Sequence, residues 1–266
     1  FAASYEPEEL QKRFAEDIQM SHIKNTDKQY VANTYGRFDL VLTHGQGSTV
    51  WDEDGKKYID LATGIAVNTF GYSDEGWVAA VTEQLGKFQH TSNLYYHEPG
   101  ARLAEKLCTR TGAKSVFFSN SGAEANECAI KTARLWAANE KGSDYYHIIT
   151  LKNSFHGRTI TTLAATGQDT FHTDFTPLTE GFLYAEANNI ASVEELLKSH
   201  KCAAVMAEPV QGEGGVMPLT QAFMESLRAL CDKYNVLLIL DEVQTGNGRS
   251  GHLYAYQHYS VTPDIL

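Results

Sequence analysis

From about Asp74 onward, short apolar runs alternate with longer stretches of helical periodicity. Leu237-Leu238-Ile239-Leu240 is apolar without a break, and so is Ala203-Ala204-Val205-Met206-Ala207. A strand with one wet face alternates apolar and polar residues, whereas an unbroken apolar run has both faces covered, the condition of a strand inside a parallel sheet. Parallel neighbours need long crossovers, and helices supply them. The spacing predicts strands over residues 115–119, 146–151, 203–207 and 236–240, and helices over 99–111, 123–139, 190–199 and 221–234. The expected fold class is α/β, a mostly parallel sheet with helices on both faces.

The chain has 266 residues, 42% of them hydrophobic, enough to bury a sizeable core. Its net charge of -11 argues against general affinity for nucleic acid or anionic membrane, which both need a basic surface, so an anionic ligand must be held by a local device. No run approaches the roughly 18 apolar residues of a membrane span, and the start lacks the basic-then-apolar order of a signal peptide. Cys108, Cys128, Cys202 and Cys231 are scattered without a CxxC, which fits reduced core residues and a cytoplasmic location. A first helix is expected where Pro7 follows Glu6 and precedes Glu8 and Glu9, with Leu10, Phe14 and Ile18 on one face. A hairpin is expected where Val50 and Trp51 lead through Asp52-Glu53-Asp54-Gly55 to Tyr58 and Ile59. Residues 1–66 read as an N-terminal helix and hairpin segment, and 67–266 as a large domain.

In such folds ligands collect at the carboxyl ends of strands. Ser119-Asn120-Ser121-Gly122-Ala123 turns from a strand into a long helix, presenting free N–H groups, a hydroxyl and a close-approach glycine to an anion; capping of the helix by the same residues is an equal alternative. Asp241 stands at the exit of a fully apolar strand, where it invites a ligand cation, a metal or a capping role. Glu208 ends another apolar strand, before the glycine-rich run Gly212-Glu213-Gly214-Gly215. Phe155-His156-Gly157-Arg158 places a ring, an imidazole and a guanidinium together; Arg158 suits a carboxylate and Phe155 a planar ring, while His156 alone reads as structural. An anion cradle, a stacking ring, a carboxylate and an arginine form the set that pyridoxal 5′-phosphate requires.

With these segments, and with Asn33-Thr34-Tyr35-Gly36-Arg37, Gly64-Ile65-Ala66-Val67-Asn68 and His90-Thr91-Ser92-Asn93-Leu94-Tyr95, the sequence from about Tyr30 to Leu266 resembles the class III (subgroup II) aminotransferases, closest to their acetylornithine branch. The resemblance implies the large domain of PLP fold type I, with Ser121, Gly122 and Ala123 at the phosphate. It places Phe155 and Val243 on the two ring faces, Asp241 on the ring nitrogen and Gln244 on the phenolic oxygen. Arg158 would bind a substrate carboxylate, and Glu208 would lie beside the amino-acid site. Ala123 stands where Thr is common in this branch, and Tyr72 where Gly-His is usual.

The resemblance further implies transfer of the δ-amino group of N2-acetyl-L-ornithine to 2-oxoglutarate, a step of arginine biosynthesis, by a homodimer. Ornithine, succinylornithine and 4-aminobutyrate are the alternative donors. Relatives continue from Pro-Asp-Ile-Leu into Thr-x-Ala-Lys, whose lysine forms the Schiff base, and then into a small domain. This sequence stops at Leu266, and none of its 14 lysines lies in that motif, so the reading is a piece of an aminotransferase. A chain that binds the cofactor or a partner without turnover is the rival from another class. A nicotinamide dehydrogenase is disfavoured because no GxGxxG opens a helix after the first strand.

Overall fold

The computed structural model describes residues 21–266; the expected helix around Pro7, Leu10, Phe14 and Ile18 lies outside the described residues. Contacts divide the chain into two compact units between Tyr96 and His97.

The described part of the first unit contains helix α1 (Ser21–Tyr30) and a three-stranded antiparallel sheet, β1 (Leu42–Gln46), β2 (Thr49–Asp52) and β3 (Lys57–Ile59), in that order. The expected hairpin is β2–β3. Its turn is held by Asp52, whose Oδ1 accepts from the N–H groups of Asp54 at 3.0 Å and Lys56 at 2.8 Å. Oδ2 of Asp52 accepts from the Tyr58 hydroxyl at 2.7 Å, and Gly55 supplies the positive φ of +75°. A short left-handed turn, α2 (Thr63–Ala66), precedes α3 (Glu75–Leu85), which Asp74 caps by accepting from Trp77 N–H at 2.7 Å. No residue of α3 is buried within this unit, and Trp77, Val78, Val81 and Leu85 are exposed.

In the second unit, α4 (Glu98–Thr111) and α5 (Gly122–Glu140) lead into β4 (His147–Leu151) and α6 (Ile160–Ala165). Then come β5 (Phe182–Ala185), α7 (Ile190–Ser199), β6 (Cys202–Ala207) and the small antiparallel pair β7 (Val210–Gln211) and β8 (Met217–Pro218). The unit closes with α8 (Gln221–Tyr234), β9 (Leu237–Leu240) and α9 (Tyr256–Tyr259). The main sheet has the order β5-β4-β6-β9 with every pair parallel. Strands β4, β6 and β9 are buried on both faces, as unbroken apolar runs require, while the edge strand β5 is largely half-buried. Ile149, Leu151, Val205, Leu238 and Leu240 pack with Val193 and Leu197 of α7 and Phe223, Met224, Leu227 and Cys231 of α8. The alternate positions Ile148, Ala204, Met206 and Ile239 pack against Ala129, Ile130, Ala133 and Ala137 of α5. Cys202 and Cys231 are core residues whose thiols burial pushes up to about 11 and about 12, while Cys108 and Cys128 are half-buried.

One expected strand is corrected. Residues 115–119 form no strand: no ladder partner lies beside them among the described residues, and Phe117 and Phe118 are exposed. An apolar run becomes a strand only where a neighbour takes its backbone hydrogen bonds. The fourth strand of the sheet is instead β5, which the sequence reading passed over. No helix among the described residues is long and apolar enough to cross a membrane.

Candidate active site

The carboxyl ends of β4, β6 and β9 carry the Ser154–Arg158 loop, Glu208 and Asp241, and the N-terminus of α5 meets them. Ser121 is the N-cap of α5, its Oγ accepting from Glu124 N–H at 3.2 Å. The N–H groups of Gly122 and Ala123 precede Ala125, which donates the bond to the Ser121 carbonyl at 3.0 Å that opens the helix ladder, and the Ser121 hydroxyl retains its own proton to donate. The capping role is thus observed, and it does not use up these donors. The Glu124 carboxylate reaches back to accept from Asn120 N–H at 2.7 Å and Asn120 Nδ2 at 2.9 Å, fixing the turn.

Asp241 is buried, and its carboxylate takes three donors. Oδ2 accepts from Asn126 Nδ2 and His156 Nδ1, both at 2.8 Å, and Oδ1 accepts from Val243 N–H at 3.1 Å. Asn126, one turn into α5, also donates to the carbonyl of His156 at 2.8 Å, so one amide ties the helix to the β4 loop and to the β9 exit. His156 is fully buried, and its Nε2 has no hydrogen-bond partner.

Glu208 is buried at the end of β6, where it tethers two loops: Oε1 accepts from Phe155 N–H at 2.9 Å and Oε2 from Gly212 N–H at 3.3 Å. Burial pushes its carboxyl up to about 7. Glu242 accepts from Tyr256 N–H at 2.7 Å, Thr245 Oγ1 at 3.0 Å and Ala255 N–H, anchoring the loop after Asp241 to α9; burial raises it against these donors.

Close approach between these segments depends on missing side chains. A Cβ on Gly122 would lie 2.8 Å from both methyl carbons of Val243, and one on Gly212 would lie 2.0 Å from Oε1 of Gln244. Val243 is therefore set against the α5 N-terminus, and Gln244, which also donates to Glu213 at 3.4 Å, against the glycine-rich loop. Phe155 is half-buried, edge-on to Phe171 with ring centroids 5.8 Å apart. Arg158 is exposed, its guanidinium carbon 5.9 Å from the Phe155 ring centre and 5.8 Å from that of Phe171. The site residues named from the sequence thus converge in one unit. Asn126 and Glu242 were not among them, and His156 was read only as structural; the visible signals were a polar residue inside an otherwise core-facing helix and a second acid beside Asp241.

A parallel α/β sheet with a buried carboxylate and a helix N-terminus at its carboxyl edge defines a site for a ligand with one anionic and one cationic end. Residues 30–266 match the family model "Aminotransferase class-III", and the chain belongs to that family. It is 52% identical over 92% of its length to acetylornithine aminotransferase of Haemophilus ducreyi, of which it covers 62%. It is 48% identical over 94% of its length to succinylornithine transaminase of Salmonella newport, of which it covers 61%. Ornithine aminotransferase from Toxoplasma gondii ME49 superposes with a TM-score of 0.90 at 32% identity, over 98% of this chain and 62% of that one. The chain therefore spans about three fifths of the length of the relatives it matches.

The family cofactor is pyridoxal 5′-phosphate, and the residues present fit it. The α5 N-terminus offers backbone donors and a hydroxyl for a phosphate, Asp241 is a buried carboxylate for a protonated ring nitrogen, and Val243 and Phe155 supply apolar surface for a ring.

Proposed function

We propose that this chain carries the cofactor-binding part of an aminotransferase that moves the δ-amino group of N2-acetyl-L-ornithine to 2-oxoglutarate. The products would be N-acetyl-L-glutamate 5-semialdehyde and glutamate, within arginine biosynthesis. The observation that carries the reading is Asp241, buried with three donors beside the α5 N-terminus, in a chain of this family. When bound, pyridoxal 5′-phosphate supplies an electron sink for the carbon that loses or gains the amino group. Ser121 and the N–H groups of Gly122 and Ala123 hold its phosphate, Phe155 and Val243 flank its ring, Asp241 holds the proton on its ring nitrogen, and Gln244 bonds its phenolic oxygen. Arg158 binds a carboxylate of the amino donor and of 2-oxoglutarate in turn, so one cation serves both halves of the exchange. Glu208 lies beside the substrate and keeps the Phe155 and Gly212 backbones in place.

We assign the cofactor-binding domain to residues 67–266, of which 97–266 contribute every contact above. A homodimer accounts for the apolar surface of the first unit, where Leu61, Val67, Phe70, Leu94, Tyr95 and Tyr96 are exposed along with the α3 residues. The four free thiols fit the reducing cytoplasm. Two measurements test the reading. Pyridoxal 5′-phosphate binding, followed by absorbance, should weaken by roughly 10-fold or more in Asp241→Ala, the loss of one charge-assisted bond. Amino transfer to 2-oxoglutarate by the whole enzyme that contains this chain should favour acetylornithine over ornithine, succinylornithine and 4-aminobutyrate. Equal cofactor binding by wild type and Asp241→Ala, or preference for another donor, would refute the corresponding half.

A further inference from the structure

We infer that Phe171 is a positioning residue for Arg158: with Phe155 it holds the guanidinium against two aromatic rings, so that the cation is already in place when a substrate carboxylate arrives. The inference rests on the carboxylate role of Arg158 proposed above and adds to it a residue that lies outside the Phe155-His156-Gly157-Arg158 motif.

Three distances close a nearly equilateral triangle. The Arg158 guanidinium carbon lies 5.9 Å from the Phe155 ring centre and 5.8 Å from that of Phe171, and the two ring centres are 5.8 Å apart. The rings meet edge to face at 64°, an arrangement that aromatic pairs prefer, and both lie within the roughly 6 Å over which a ring attracts a guanidinium. Arg158 is exposed, and an exposed arginine gives up rotamer freedom when it grips a carboxylate. A guanidinium steadied beforehand gives up less on binding, so the second ring adds affinity without touching the ligand itself. The choice of an aromatic support matters too. A phenyl ring does not occupy the N–H fork with an acceptor oxygen, whereas an acidic side chain at position 171 would pair with the guanidinium and compete with the substrate for it.

Phe171 can serve as a support because its backbone is tied on two sides. It closes the short 3-10 turn Asp169–Phe171, its N–H donating to the Gln168 carbonyl at 3.1 Å. Gln168 Nε2 donates to the Ser154 carbonyl at 3.0 Å, next to Phe155, and His172 Nε2 donates to the Leu163 carbonyl of α6 at 3.0 Å. Arg158 precedes α6 and Phe171 follows it, so the turn returns the chain to the loop it left and brings a second ring to the cation. Both rings are half-buried, which removes part of the water that would weaken their attraction for the guanidinium.

The test uses the whole enzyme that contains this chain, with pyridoxamine 5′-phosphate bound, and glutarate, the dicarboxylate that matches 2-oxoglutarate but lacks its keto group. Calorimetric titration should show glutarate binding weakened about 3- to 10-fold in Phe171→Leu and within about 2-fold of wild type in Phe171→Tyr, which keeps the ring. In an Arg158→Ala background Phe171→Leu should add less than about 2-fold, because the support has nothing left to hold. The KM for 2-oxoglutarate should rise in Phe171→Leu by the same factor as the glutarate Kd with kcat little changed, the mark of a contact equally strong in ground and transition states. Glutarate binding alike in wild type and Phe171→Leu, or a loss that persists undiminished in the Arg158→Ala background, overturns the inference and leaves the carboxylate reading intact. Glutarate binding by Arg158→Ala that matches wild type overturns the carboxylate reading itself, and the inference with it. If Phe171→Leu does not fold, Phe171→Met carries the same comparisons.

Discussion

Gly157→Ala meets two separate difficulties in the site, a backbone conformation that L side chains rarely adopt and a close contact with two fixed neighbours. Gly157 has φ of +133°, and a Cβ there would lie 2.6 Å from Oγ1 of Thr162 and 2.8 Å from Cβ of Ala123. Neither obstacle can swing away: Thr162 is locked in a capping box with Thr159, and Ala123 sits in the first turn of α5. Backbone strain at such a φ costs about 1 to 3 kcal/mol, and forcing an extra methyl into a packed site costs about as much again, for a total of about 2 to 6 kcal/mol. Gly248→Ala is the control, because Gly248 also has a positive φ, +90°, but nothing lies within 4 Å of its Cβ position, so it bears the strain alone. Urea unfolding followed by circular dichroism reads the difference. With a slope of about 2 to 3 kcal/mol per M, Gly157→Ala should lower the midpoint by about 1 M or more, and Gly248→Ala by about half that or less. Equal shifts in the two variants would show that the contact with Ala123 and Thr162 is not what requires a glycine.

Leu227→Ala, at a fully buried position of α8, should cost about 2 to 5 kcal/mol in the same unfolding measurement, and a loss under about 1 kcal/mol would mean that this face of the sheet is not close-packed. Glu208 holds its proton up to about pH 7 when folded against an ordinary 4.5, so between those values the folded state binds more protons than the unfolded one. Stability should therefore fall as pH rises through that window, by on the order of 3 kcal/mol, and Glu208→Gln should flatten the slope; an unaltered profile in the variant would assign the pH dependence elsewhere. Glu242→Leu removes the acceptor of the Ala255 and Tyr256 N–H groups and should accelerate hydrogen exchange across residues 246–256, whereas unchanged protection would show that α9 is held by packing alone.

Helices α7 and α8 were legible to the residue because their ends are written locally. Asn189 and Thr220 accept from the N–H three residues on, and Asn235 closes α8 in the left-handed conformation. The strand expected at 115–119 failed, and β5 went unseen, for one reason: strand identity depends on a partner distant in sequence, and the apolar content of Val116, Phe117 and Phe118 carries no information about one. The site divides in the same way. Phe155, Arg158, Glu208 and Asp241 stand out in the sequence as chemical groups just beyond strands, and Ser121 as the opening of a long helix. The bonds that join Asp241 to Asn126, 115 residues away, and to His156, 85 residues away, exist only once the sheet has assembled.

The two acids of the site show how position is turned into chemistry. Ala207 and Leu240 are paired residues of adjacent strands, so Glu208 and Asp241 leave the sheet side by side at its carboxyl edge. A neighbouring negative charge and burial both raise a carboxyl, and hydrogen-bond donors lower it. Asp241 receives two side-chain donors and a backbone N–H at 2.8 to 3.1 Å. Glu208 receives two backbone N–H groups, one of them at 3.3 Å, and its carboxyl is raised by burial, with the Asp241 charge adding to the rise. The arrangement therefore gives Asp241 the fuller set of donors and leaves Glu208 as a carboxyl that changes charge near neutrality. Because Glu208 also holds the Phe155 and Gly212 backbones, its proton is coupled to the loops that line the site: ionisation strengthens both N–H bonds, and protonation weakens at least one of them.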